Sequence, residues 1–249
     1  MTPVRQPILV VDSSLSGVSM AVIRPGDERP LACELHVENM GAVAAIADLA
    51  ERVLASAKVA IKDLGGVAVS VGPGSFTGIK VGLAFVYGLQ QARPALPVLG
   101  LSAVEAAAAR YFVQQGSDAP MALFVPATRT HGFVAVHARE GVQAARLIDV
   151  SGDDGASFVE SLAEDTRLGV FSRWPLCDSL TKAKGRSLLE LAPASVCQEA
   201  IYGMAGRAVL KWPDGFQTAA PAPRYLRLST AEERLQELAA GTAKGASTK

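Results

Sequence analysis

The chain is poor in the residues that most often hold metals. Only three histidines occur in 249 residues, His36, His131 and His137, with no His-x-x-x-His or His-x-Glu spacing. A histidine-built metal site is therefore not expected. Cys33, Cys177 and Cys197 are odd in number and form no Cys-x-x-Cys pair. That argues against a disulfide framework or zinc ribbon and for a reducing compartment, the cytoplasm. Charge of one sign is missing too, since 24 Lys and Arg balance 24 Asp and Glu. Without excess cation, a chain that grips nucleic acid by itself is not expected. Long apolar runs are scarce. Ile8 to Val11, before Asp12, is too short for a signal peptide. Gly65 to Leu89 is long enough to span a bilayer, but Gly72-Pro73-Gly74-Ser75 and Lys80 interrupt it, so no membrane span is expected.

What is present is a core. Hydrophobic residues make up 49% of the chain and charged residues 19%, enough for one large domain or two of about 120 residues each. Periodicity predicts three consecutive antiparallel strands, Ile8–Asp12, Val18–Ile23 and Leu31–Val37, followed by a helix over Ala42–Ala57. Further on it predicts a strand at Gly66–Val71, a helix at Thr77–Ala92, a strand at Pro97–Leu101 and a helix at Ala103–Gln115. Ser102 and Glu105 would form a capping box on that last helix. The order β-β-β-α-β-α-β-α indicates an α/β layer with a mixed sheet. Gly116 to Pro120 is the best domain boundary, separating residues 1–115 from 116–240. Beyond it, strands are expected at Met121–Val125, Phe133–His137 and Ala144–Val150. Helices are expected near Phe158–Ala163, at Val196–Leu210 and at Thr230–Ala240, before a small-residue, mobile tail at 241–249. Asp153 and Asp154 fall in a Gly-flanked turn.

Two loops carry the residue types that bind phosphate. Asp12-Ser13-Ser14-Leu15-Ser16-Gly17 joins two apolar strands, and a carboxylate followed by hydroxyls can hold a hydrated cation and offer donors to an anion. The same pattern also closes an ordinary Asx or Ser turn. Gly72-Pro73-Gly74-Ser75-Phe76-Thr77-Gly78 lies between a buried strand and a helix, where free N–H groups favour anions. It lacks the Gly-Lys-Ser/Thr of a Walker loop and is no GxGxxG. Asp12, Ser13, Gly72, Gly74 and Ser75 are the candidate phosphate-loop residues. The helix that follows contains Gly78, Gly82 and Gly88, and each interior glycine costs about 1 kcal/mol relative to alanine. Gly78 and Gly82 lie one turn apart, and a flat stripe allows another backbone to approach. A helix apolar over most of its circumference is buried either in the core or at a partner, and in the second case Phe76, Thr77, Ile79, Lys80, Leu83 and Val86 form the partner interface with Gly78 and Gly82. Hydrolase signatures fail: Gly17-Val18-Ser19-Met20-Ala21 is one residue short of a nucleophile elbow, and Ser179-Leu180-Thr181-Lys182 has no accompanying Lys-Thr-Gly.

From Val69 to Gly82, VSVGPGSFTGIKVG, the sequence resembles the TsaB family, also called YeaZ-like and once glycoprotease-like. Ile8 to Asp12, Pro97 to Ser102 and Pro223-Arg224-Tyr225-Leu226-Arg227 support the resemblance. It implies a two-domain actin/Hsp70/sugar-kinase-like (ASKHA) fold with an abbreviated second domain. It also implies a non-catalytic scaffold or activator subunit with no catalytic residue, metal or cofactor of its own. Such a subunit docks, through helices of its first domain, onto TsaD, which transfers the threonylcarbamoyl group to the adenosine beside the anticodon of tRNA. The ATPase subunit TsaE joins the complex, ATP is possible at the complex interface, tRNA is met only through the complex, and a homodimer is possible when the chain is alone. Lys80 stands where the family usually has Arg, and of the family's Asp-Ala-Arg-x-x-Glu-Val-Tyr segment only Arg129 survives within Ala127 to Val134. The alternative is an ATP-binding phosphotransferase of the same fold, with Asp12 as metal-side carboxylate and Ser13 to Gly17 as phosphate cradle.

Overall fold

The computed structural model of the chain describes residues 5–37, 42–150, 153–172, 174 and 187–227. The first half contains β1 (Ile8–Asp12), β2 (Val18–Ile23), β3 (Ala32–His36), α1 (Ala42–Ala57), β4 (Gly66–Ser70), α2 (Phe76–Ala92), β5 (Val98–Leu101) and α3 (Ala103–Gln114). The second half contains β6 (Met121–Pro126), β7 (His131–Ala138), β8 (Gly141–Val142), β9 (Arg146–Asp149), α4 (Asp153–Ser161), β10 (Arg167–Phe171), β11 (Leu188–Leu191) and α5 (Pro193–Lys211).

The first sheet runs β3-β2-β1-β4-β5, with β2 antiparallel and β4 parallel to β1. The second runs β11-β10-β6-β7-β8, with β9 also on β7, and again the central strand β6 has one antiparallel and one parallel neighbour. The two halves therefore repeat one topology. This is the expected two-domain actin/Hsp70/sugar-kinase-like fold.

The central strand β1, ILVVD, is buried at every position. That explains its lack of alternation: a central strand covered on both faces reads as one apolar run. Leu9 and Val11 face α1 and α2, while Ile8 and Val10 face a second core shared with the other half. That shared core is closed by an exchange of helices. α3 packs on β6 and β7 of the second sheet, whereas α5 packs on β1 and β2 of the first. The two helices lie against each other, and a Cβ built on Gly203 would fall 2.4 Å from the Ala106 carbonyl oxygen.

Several expectations shift. The helix expected near Phe158–Ala163 begins five residues earlier, so Asp154 sits in its first turn, where negative charge suits the helix dipole. β10 and β11 were not anticipated. The Thr230–Ala240 helix, the 241–249 tail, Cys177 and Ser179 to Lys182 lie outside the described residues. Ser102 caps α3 as expected, accepting from the Glu105 N–H at 3.2 Å, but the Glu105 carboxylate does not complete the box. It turns instead to Ala145 and Arg224. Among the described residues no helix is long and apolar enough to cross a membrane.

Candidate functional site

The two glycine-bearing loops do meet, and they close on one another. Ser14 donates to one Asp12 oxygen twice, from its backbone N at 2.8 Å and its hydroxyl at 2.7 Å. The Ser13 hydroxyl donates to the Gly78 carbonyl at 2.7 Å, and the Ser75 N–H donates to the Ser14 carbonyl at 2.7 Å. Ser75 also caps α2, accepting from Gly78 N–H at 3.2 Å. The Ser13 and Ser14 hydroxyls and the Ser14 and Ser75 N–H groups are thus spent within the chain.

The glycines explain how the loops come so close. A Cβ at Gly78 would sit 1.8 Å from the Ser13 carbonyl oxygen, and one at Gly74 would sit 2.2 Å from that of Ser14. Gly82 meets the Ser13 hydroxyl in the same way, at 2.5 Å. Asp12 is 1% exposed, and burial pushes its carboxyl above the ordinary 3.8, with hydrogen bonds from Ser14 acting in the opposite direction. Beside it, Cys197 donates to the Ser16 carbonyl at 3.4 Å, and burial pushes that thiol to about 12.

This corrects the phosphate-loop expectation. Asp12 and Ser13 are buried in a joint that Gly74 and Gly78 close on, and Gly72 is buried against Arg224, whereas Ser75 is exposed. Asp12 itself lies too deep to meet a hydrated cation. Next to the joint, a polar cleft of about 320 Å³ lies between the halves, with Ser14, Ser16, Ser75, Pro126, Ser172 and Trp174 on its walls. Among the described residues, no three His, Cys, Asp or Glu side chains cluster as metal ligands.

The interface expectation is corrected as well. Gly78, Ile79, Gly82, Leu83 and Val86 are buried. Ile79, Leu83 and Val86 belong to the core under α1 and α2. The glycine stripe faces the chain's own β1–β2 turn, so its cost is offset internally and no partner is needed to cover it. Phe76 is half-buried, and Thr77 and Lys80 are exposed, with the Lys80 ammonium 4.0 Å from the Phe76 ring centroid.

The side of α2 that remains open is the opposite one. Lys80, Ala84 and Gly88 are exposed at four-residue spacing, and a Cβ at Gly88 would touch nothing within 4 Å. Beside this stripe an apolar groove of about 490 Å³ runs between α1 and α2, lined by Ala47, Leu54, Ala55, Ile61, Phe85 and Leu89 among others. Residues on α1 were not singled out from the sequence. The available signal was Lys80, which marks the wet side of α2.

A family model described as TsaD, tRNA N6-adenosine threonylcarbamoyltransferase, matches residues 38–167, just over half of the chain. The tRNA threonylcarbamoyladenosine biosynthesis protein TsaB of Buchnera aphidicola subsp. Schizaphis graminum is 33% identical over 95 residues. The aligned stretch is 38% of this chain and 43% of that protein, so the match spans less than half the relative's length. Among solved structures, YeaZ from Pseudomonas aeruginosa superposes with a TM-score of 0.67 at 20% identity, covering 89% of this chain and 100% of that one. Component A of (R)-2-hydroxyglutaryl-CoA dehydratase from Acidaminococcus fermentans superposes with a TM-score of 0.52 at 10% identity, covering 82% and 98%. These two likenesses concern the fold.

Proposed function

The chain belongs to the TsaD-type threonylcarbamoyltransferase family, in its TsaB/YeaZ branch, and from that premise we propose that it is the non-catalytic subunit that docks onto TsaD and supports threonylcarbamoyl transfer to tRNA. The groove between α1 and α2 is the observation that carries this proposal. Its walls are mostly apolar, with Asp48 and Glu51 of α1 among them, and on α2 the exposed Ala84 and Gly88 are short enough for a partner helix to lie close. The buried state of Asp12 supports the non-catalytic part, since a sealed carboxyl cannot touch a substrate.

In this proposal TsaE joins the assembled pair, tRNA is contacted through the complex, and any ATP is held by the complex at its interface. A second copy of the chain covers the same groove when TsaD is missing. The burial of Asp12 counts against the phosphotransferase alternative, which needs that carboxylate at a metal.

Mixing the purified chain with TsaD and measuring mass in solution tests the proposal. A heterodimer at micromolar concentration that excludes the homodimer is expected. Two separate species at that concentration overturn it.

A further inference from the structure

The chain beyond α5 returns across the first sheet and ends at the head of α2. Gln217 and Val98 exchange both backbone hydrogen bonds, at 2.7 and 3.0 Å. The Gln90 side-chain amide donates to the carbonyls of Leu96 and Thr218, both at 3.1 Å. Pro221 packs on Gly100, where a Cβ would fall 2.9 Å from it. The Arg224 N–H then donates to the Val71 carbonyl at 2.6 Å, just before Gly72. At Gly72, with φ +102°, a Cβ would lie 2.6 Å from the Arg224 carbonyl oxygen, so glycine is required by both conformation and space.

The Arg224 side chain leaves in another direction. Its Nη1 donates to Glu105 Oε1 at 2.5 Å and its Nη2 to the Ala145 carbonyl at 2.7 Å. The Ala145 N–H returns to the same Glu105 oxygen at 2.9 Å. Arg224 therefore joins α3 and the β8–β9 loop through its guanidinium, and the loop that starts α2 through its backbone N–H. The Glu105 side chain is 13% exposed, which places this pair among the shielded, charge-assisted contacts and not the surface pairs of little worth. One residue later, the Tyr225 ring packs on Phe76 with centroids 4.7 Å apart.

We propose that residues 212–227 form a strap across the two halves, and that Arg224 is the positioning residue that lets the second half set the head of α2. Phe76 and Lys80 hold their places only while the Glu105–Arg224–Ala145 junction is closed. Its consequence for partner binding, and only that, rests on the docking function proposed above.

The test uses the full chain with hydrogen exchange, melting and TsaD titration on R224A and R224K. In R224A, exchange in the segments containing residues 71–80 and 141–146 rises together by at least tenfold, while β1 and β6 stay protected. Guanidinium ion at millimolar concentration restores protection, and sodium chloride at equal strength does not. R224K keeps the charge without the fork and falls between. TsaD binding weakens about tenfold in R224A. Loss of protection around Ala145 with none at 71–80 overturns the proposal, as does R224K behaving like wild type when R224A fails to fold. Wild type that shows no TsaD binding, with the exchange pattern intact, instead overturns the docking function and leaves the strap standing.

Discussion

The two sides of α2 use small residues for opposite ends. On the inner side, Gly78 and Gly82 let the Ser13 backbone and hydroxyl come closer than any side chain allows. On the outer side, Ala84 and Gly88 are exposed, and a Cβ at Gly88 would touch nothing of this chain. A glycine stripe thus says that something approaches closely, and not whether it belongs to the same molecule. The first side holds the fold together, and the second is left for a neighbour.

That contrast is sharpest at its inner edge. G78A forces a methyl into the Ser13 carbonyl, and L83E buries an unpaired charge in the core. Either should cost more than about 4 kcal/mol or abolish folding, as thermal melting would show. Melting within a few degrees of wild type would mean that the inner side is not packed as described. On the outer side, A84E should leave the melting temperature nearly unchanged and weaken TsaD binding at least about 100-fold, roughly 2.7 kcal/mol, as measured by titration calorimetry. Equal affinity would remove the outer side from the interface.

Smaller effects refine the picture. Asp12 binds its proton more tightly folded than unfolded, so its ionisation opposes folding as pH rises from 3.8 through the raised folded value. D12N, which keeps the acceptor for Ser14, should therefore melt about 4 °C higher than wild type at pH 7. The gap should close as pH falls towards 4. A gap that is constant with pH would mean the carboxyl is not sealed. The smallest effect is G88A, which adds a helix-favouring methyl in open space and should stabilise the chain by about 1 kcal/mol. A loss of stability there would show that the outer side is already covered.

Much of the first half was legible because β1, β2 and β4 are fully buried runs and α1 keeps a helical period. Ile8–Asp12, Val18–Ile23 and Ala42–Ala57 emerge with the expected bounds. The direction of α2 was not legible from apolar content, because Val81, Phe85 and Leu89 on the groove side look as oily as Ile79 and Leu83 inside. Lys80 was the one charged residue that could have oriented the helix. The Asp12 turn was ambiguous for another reason: the same residues serve as an anion cradle when open and as a joint when another loop bonds to them. The Glu105–Arg224 junction lay beyond any local pattern, since its partners are 119 residues apart. β11 was missed because LLEL is four residues long, with two of them exposed, and so shows no clean alternation.

The exchange of α3 and α5 bears on how the molecule is made. On the ribosome, the face of β1 and β2 carrying Ile8, Val10 and Ala21 emerges well before the helix that shields it, Pro193–Lys211, which follows every strand of both sheets. A nascent first half therefore carries a sticky surface until the second sheet and the helix after it have been made, and consolidation of the shared core must wait for them. Cutting the gene at the linker between the sheets would strand two insoluble pieces, whereas supplying both together offers them a route to reassemble.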